Sequence, residues 1–528
     1  MPSLRGPRAV PSAPERPHPR RIGIVDLGSN TARLVVFACE PGLWYSIEDQ
    51  IREVVRLAEG FGTSSHLTDS SIDRAVTALK LICDFAGAAD LDRLQVIGTS
   101  ALREADNRGR FLADIAALDL DLWVLSGTEE AQLGVDAVAN SLAFNDAWVV
   151  DLGGGSVQAS RMTDRTFEAG GAHPLGMVRL TEAYLRSDPP TAAEVATLEA
   201  AVAKRLSSWA KKVRRDPAPL VGMGGSLRNL ARAVQKQIGY PIDLIHGYFL
   251  RLIDLEVLTE LLLNRTAAER AEIPGIRSDR ADVIAAAALV FRWRLRKTRR
   301  DGLVVSGHGM REGAFHRHFL PAPDYRIPDV RRFSVESRLA RYPVPHVHTE
   351  HVRRLAGLLF DGLMPLHRLG PREKELLDAA AALHDIGVAV DFYHHYRHGA
   401  YLLSSKPLHG FSHREQVLLT LMVRHHEKGK PQTKGYEMLL HSGDKKLLRR
   451  LTACLRLAEY LERSRAGRIQ SLEVEIGTET VRLHLHSREK PTVELRETYK
   501  EAAPLFEDAF RRRLELVPEP LTLPAGRV

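Results

Sequence analysis

Cysteine, aromatic residues and long apolar runs are all scarce in this chain. Only Cys39, Cys83 and Cys454 occur among 528 residues, scattered with no metal-ligand or redox spacing, so they read as buried thiols of a reducing compartment. No apolar stretch approaches the roughly 20 residues that span a bilayer, so no membrane segment is expected. Residues 1–20 are rich in Pro and Arg and lack the apolar centre of a signal peptide; they read as a disordered extension, and the location expected is cytoplasmic. Aromatics make up 6% of the chain and are not interleaved with its basic runs, which leaves nucleic acid off the list of expected partners. Acids are outnumbered, 66 to 74 Lys and Arg, for a formal charge of +8. That excess favours an anionic partner, and the runs at 211–215, 292–300 and 445–450 together suit a long polyanion.

Glycine is concentrated where it carries information. Val149–Ala159 reads Val-Val-Asp-Leu-Gly-Gly-Gly-Ser-Val-Gln-Ala, an apolar strand ending in Asp151, a turn of Gly153, Gly154, Gly155 and Ser156, and a second strand. Glycines without Cβ let backbone N–H groups close around phosphate oxygens. Arg21–Phe37 repeats the pattern with Asp26-Leu27-Gly28 and the turn Ser29, Asn30, Thr31. Two such hairpins suggest a duplicated domain, and if the halves face each other, Asp26 and Asp151 can hold a hydrated Mg²⁺ between them. The pair resembles the actin, Hsp70 and sugar-kinase superfamily. That resemblance implies an α/β fold, a duplicated actin-like (ribonuclease H-like) core.

Between and beyond the hairpins, in order, come Thr99-Ser100-Ala101-Leu102-Arg103, Ser126-Gly127-Thr128-Glu129-Glu130-Ala131, Gly222-Met223-Gly224-Gly225-Ser226, His246-Gly247, Asp279–Ile284 and Ser306–Gly313. With the two hairpins, this ordered set resembles the exopolyphosphatase/guanosine pentaphosphate phosphatase family over residues 21–320. The resemblance implies that Glu130 activates water, that Ser29, Asn30, Arg103 and Gly153 to Ser156 bind phosphate, and that Asp151 with Asp26 positions Mg²⁺ or another divalent cation. It also implies a homodimer among the expected assemblies. The family usually continues the glycine turn with Ser-Thr-Glu, where this chain has Ser156-Val157-Gln158; losing an acid there predicts weaker or displaced metal binding.

From Ser334 onward the pattern is helical and rich in histidine. His348, the pair His384-Asp385, and Glu459 in place of a late Asp resemble the ligand order of an HD-type metal phosphohydrolase domain, which implies either a helical domain kept as a platform for the polyanion, the reading placed first, or a second metal site; His413 and His425-His426 fall where extra ligands would lie. Alternating residues at 472–476 and 481–486 predict a hairpin, residues 492–496 a further strand, and 502–514 a closing helix. The expected organisation is a 1–20 extension, actin-like domains at 21–133 and 134–320, a linker at 321–333, an HD-like helical domain at 334–465 and a small α+β lobe at 466–528. The expected activity is hydrolysis of the terminal phosphate of inorganic polyphosphate. The alternatives are guanosine pentaphosphate hydrolysis at the same site, HD-type hydrolysis at His384 and Asp385, and a non-catalytic polyphosphate or nucleotide sensor.

Overall fold

The computed structural model describes residues 18–59 and 65–520. Residues 1–17 of the expected extension therefore lie outside the described residues. The first sheet begins with an antiparallel meander of β1 (Arg20–Leu27), β2 (Thr31–Glu40) and β3 (Trp44–Val54). β4 (Arg93–Gly98) and β5 (Asp121–Val124) extend it in parallel with β1, in the order β3-β2-β1-β4-β5. The centre of β1 and most of β2 are apolar on both faces, as strands covered from both sides require. Ile24, Val25, Leu34 and Phe37 are all fully buried.

The second sheet repeats this plan. β6 (Ala147–Leu152), β7 (Val157–Thr163) and β8 (Thr166–His173) form the meander, and β9 (Leu220–Met223) runs parallel to β6. An added edge strand, β10 (Tyr248–Arg251), pairs antiparallel with β11 (Gly302–Val305), which lies parallel to β9. The order β10-β11-β9-β6-β7-β8 contains the first sheet's order once β10 is set aside, so the α/β core is the duplicated actin-like fold. The halves are stitched together by the helix Met310–Phe319, which returns to the first sheet. Phe315 stacks on Phe37 with ring centroids 4.1 Å apart, in one buried cluster with Ile24 and Leu133.

Six helices of eleven residues or more follow, from Val330–Arg341 to Asp444–Leu461. Their core is shared with β12 (Ile469–Ile476), β13 (Thr480–Ser487) and β14 (Arg513–Pro520): Leu355, Leu455, Leu483 and Phe506 belong to one cluster. Two expectations fail here. Residues 492–496 form a helix (Thr492–Glu497) beginning directly after Pro491, and the closing helix stops at Phe510, where Arg511 takes a left-handed conformation that ends helices. The chain then forms β14, parallel to β13. No helix among the described residues is long and apolar enough to cross a membrane.

Half of the basic run 292–300 is spent inside the fold, while Arg296, Lys297 and Arg299 stay exposed. Arg294 is fully buried over the Trp209 ring, Arg292 pairs with Glu199 and Glu260, and Arg300 donates to backbone carbonyls of Val213, Asp216 and Pro217.

Candidate active site

The two hairpin turns meet at the floor of one cleft. Each closes with the same bond, Gly28 N–H to the Thr31 carbonyl at 3.0 Å and Gly153 N–H to the Ser156 carbonyl at 2.9 Å. Ser29 Oγ lies 3.0 Å from Ser100 Oγ, both buried, and a Cβ on Gly155 would stand 2.6 Å from Ser29 Oγ. Asp26, Glu130, Asp151, Ser29, Asn30 and the turn from Gly153 to Ser156 all line the cleft. Sequence positions spread over more than a hundred residues thus converge.

The glycine turn is held from behind. Gly176, Met177 and Val178, at the start of the helix Met177–Tyr184, donate to the carbonyls of Gly155 (3.2 Å), Gly153 (3.0 Å) and Gly154 (2.9 Å). In a trans peptide the C=O and the following N–H point opposite ways. Binding those three carbonyls therefore turns the N–H groups of Gly154, Gly155 and Ser156 away from the helix and toward the cleft.

The Glu pair at 129–130 divides its labour. Glu129 closes a capping box with Ser126, accepting from its backbone N–H at 2.8 Å while Ser126 Oγ accepts from Glu129 N–H at 3.2 Å; these bonds hold its carboxyl below the usual range. Glu130, one residue on, points into the cleft, where burial raises its carboxyl to about 7, Arg103 opposing the rise and Asp151 and Asp26 adding to it. Burial likewise raises Asp151 to about 6, and raises Asp26. Arg103 Nη1 donates to Glu130 Oε2 at 3.1 Å and to the Leu125 carbonyl at 2.8 Å. Arg103 lines a neighbouring hollow with Gly127 and Thr128, which adjoins the cleft at Ser156, a residue common to both.

Cations crowd the opposite wall. Arg33, Arg52, Arg228, Arg280 and Arg311 all line the cleft, and of these Arg33, Arg52 and Arg228 escape sequence reasoning. Arg33 was marked by register, since it pairs across β1 and β2 with Asp26. Burial, with Arg311 and Arg228 nearby, lowers its guanidinium to about 9. Arg311 Nη1 lies 3.6 Å from Asp26 Oδ2. The equivalent position in the second hairpin, opposite Asp151, is Gln158, whose Nε2 donates to Ser156 Oγ at 2.8 Å.

In the helical region, His348, His384 and Glu459 form one group able to hold a cation, and Asp385, with His395 and His426, forms another. His395 escapes sequence reasoning, although it lies in the His394-His395 pair. His413 goes elsewhere, bonding Tyr240 and the His246 carbonyl, and His425 belongs to neither group.

Comparison with known proteins agrees with this geometry. The model of the Ppx/GppA phosphatase family matches residues 35–321, and that of Ppx/GppA phosphatase domain III matches residues 330–511. Exopolyphosphatase 2 of Mycobacterium tuberculosis is 31% identical over 309 residues, covering 56% of this chain and 97% of that protein. A solved exopolyphosphatase from Cytophaga hutchinsonii shares the fold at 24% identity with a TM-score of 0.54, covering 57% of this chain and 98% of that one. A solved exopolyphosphatase-like protein is similar at 25% identity with a TM-score of 0.51, covering 56% and 98%.

Proposed function

Because the chain belongs to the Ppx/GppA phosphatase family, we propose that it is an exopolyphosphatase that uses Glu130 to release orthophosphate from the end of inorganic polyphosphate. The observation that carries this reading is the cleft itself: a buried carboxylate with an elevated proton affinity faces a glycine turn of inward N–H groups and a wall of arginines. Hydrolysis of a phosphoanhydride asks the protein for an oriented water, neutralised nonbridging oxygens and in-line geometry. Glu130 takes a proton from water as the water oxygen bonds to the terminal phosphorus. The bridging P–O bond breaks, and the shortened chain leaves with the bridging oxygen and its electron pair. The N–H groups of Gly154, Gly155 and Ser156, with Arg33, Arg228 and Arg311, hold the charge on the phosphoryl oxygens.

The donor set of Asp26 and Asp151 fits a hard divalent cation such as Mg²⁺. Both are half-buried carboxyls, and desolvation raises the proton affinity of each in spite of the nearby arginines. Bound there, Mg²⁺ supplies charge neutralisation to the phosphate. The direct test is orthophosphate release from long-chain polyphosphate and from guanosine pentaphosphate, side by side with Mg²⁺. Release from polyphosphate is expected; release from the nucleotide alone replaces the substrate, and release from neither removes the assignment.

A base must be ionised to act, so kcat/KM is expected to rise about tenfold per pH unit in acid and to level near pH 7, the value to which burial raises Glu130. Arg103 draws that value down, so Arg103→Gln is expected to move the acid limb to higher pH with little change in KM. A raised KM with an unmoved limb would instead make Arg103 a phosphate ligand.

Gln158 bears on the cation. Gln158→Glu places a carboxylate opposite Asp151 and is expected to lower the Mg²⁺ concentration for half-maximal activity severalfold. Unchanged Mg²⁺ dependence would show that position 158 does not reach the cation.

A further inference from the structure

We propose that the junction between the core and the helical region holds a second ligand site, built for a small molecule in which a flat ring carries a phosphate. A cavity of about 380 Å³ lies there, within the roughly 300–1,000 Å³ typical of small-molecule sites. Three parts of the chain build it: β3 brings Tyr45 and Ile47, the second half of the core brings His246 and His308, and the helix Val330–Arg341 brings Phe333 and Arg338. It shares no lining residue with the cleft of Asp26, Glu130 and Asp151, and ligand binding here does not depend on the reaction assigned there.

The phosphate is assigned by three cations that lack a counter-charge. Arg338, Arg341 and Lys406 all line the cavity, and among the described residues none of them pairs with a carboxylate. Arg338 is only 7% exposed and its Nη2 donates to the Pro407 carbonyl at 3.3 Å; a buried cation without an anion is costly. Burial lowers both Arg338 and Lys406, Arg341 lowers each further, and only Tyr342 opposes the change at Arg338. The carboxylate on the cavity wall, Asp243, pairs instead with Arg232 at 2.8 Å. Two guanidinium forks and an ammonium group suit phosphate oxygens. The ring is assigned by the remaining wall, which is aromatic and uncharged. The His308 ring lies 5.0 Å from that of His246 and 4.6 Å from that of His409, centroid to centroid. His246 donates from Nε2 to the Ser141 carbonyl at 3.0 Å and accepts the Gly307 N–H at Nδ1 at 3.1 Å, so it is a neutral imidazole. Burial holds His308 and His409 well below the usual range, and they too stay neutral. With Tyr45 and Phe333 these imidazoles offer faces and edges against which a flat ring packs.

The test titrates the full chain calorimetrically with AMP, which joins a flat ring to a phosphate, and in parallel with adenosine and ribose 5-phosphate, which each keep one half of that chemistry. AMP is expected to bind and to raise the melting temperature; no binding by the wild type overturns the proposal. Adenosine and ribose 5-phosphate are each expected to bind about tenfold more weakly or worse, and either one matching AMP overturns the combined site. Arg341→Gln and Lys406→Gln each remove one cation and are expected to weaken AMP about tenfold. Lys406 is exposed, so its replacement tests the site even where the arginine variant fails to fold. Arg33→Gln, in the cleft, is expected to leave AMP affinity unchanged. Wild-type affinity in folded Lys406→Gln and Arg341→Gln, with loss in Arg33→Gln, would put AMP in the cleft and overturn the proposal.

Discussion

Replacing Glu130 with glutamine is expected to lower kcat for phosphate release by about a thousandfold, within the range that loss of a positioned base produces, while polyphosphate binding persists. The substitution keeps the volume and leaves an oxygen to accept from Arg103, which lies 3.1 Å away; it removes only the ability to take a proton. Glu129→Gln is the matched control. That side chain caps its helix by accepting from the Ser126 N–H, a bond that a glutamine oxygen also accepts, so stability should change by no more than about 0.5 kcal/mol and kcat should stay close to the wild-type value. Phosphate release surviving in Glu130→Gln would move the chemistry away from the cleft. A drop of equal size in Glu129→Gln would mean that the helix start as a whole, and not the one carboxylate, sets the rate.

The contrast between those neighbours marks what the sequence could say. Asp26 and Asp151 were legible because each ends an apolar strand before a glycine or serine turn, and period and turn chemistry are local properties. Glu130 was legible only as one of two acids opening a helix. Its sequence context cannot tell a capping side chain from one aimed into a cleft, since the choice depends on which face of the helix meets the opposite half. Arg228 and Arg52 were missed because they come from a helix and an edge strand whose only relation to the cleft is tertiary. The histidines behaved differently again. His384 and Asp385 were legible as adjacent ligand types, whereas His395 joins them because the turn Ile386–Ala389 packs on the helix His395–Ser405: a Cβ on Gly387 would collide with the backbone of His395 and Gly399. Close packing of that kind leaves little trace beyond a glycine.

Gly176 is the position where such a glycine matters most to activity, and Gly176→Ala is expected to lower kcat/KM about a hundredfold. Its backbone, φ −69° and ψ 154°, is open to any residue, so conformational freedom is not the reason for glycine there. Space is: a Cβ would fall on the carbonyl oxygen of Gly154 and the carbonyl carbon of Gly155, backbone atoms that no rotamer change can move aside. To admit a methyl group, the turn must lift off the helix Met177–Tyr184, breaking the carbonyl bonds that aim its N–H groups into the cleft. A displacement of about 1 Å in such a positioning element costs roughly two orders of magnitude in rate, and the overpacking itself costs about 1–3 kcal/mol of stability. Gly171→Ala provides the comparison, because nothing lies within 4 Å of the Cβ it would add and its effect should stay within about 0.5 kcal/mol. If Gly176→Ala keeps wild-type kinetics and melting temperature, the turn is not held from behind as described, and the orientation of its N–H groups must come from the opposite hairpin through Ser29 and Ser100.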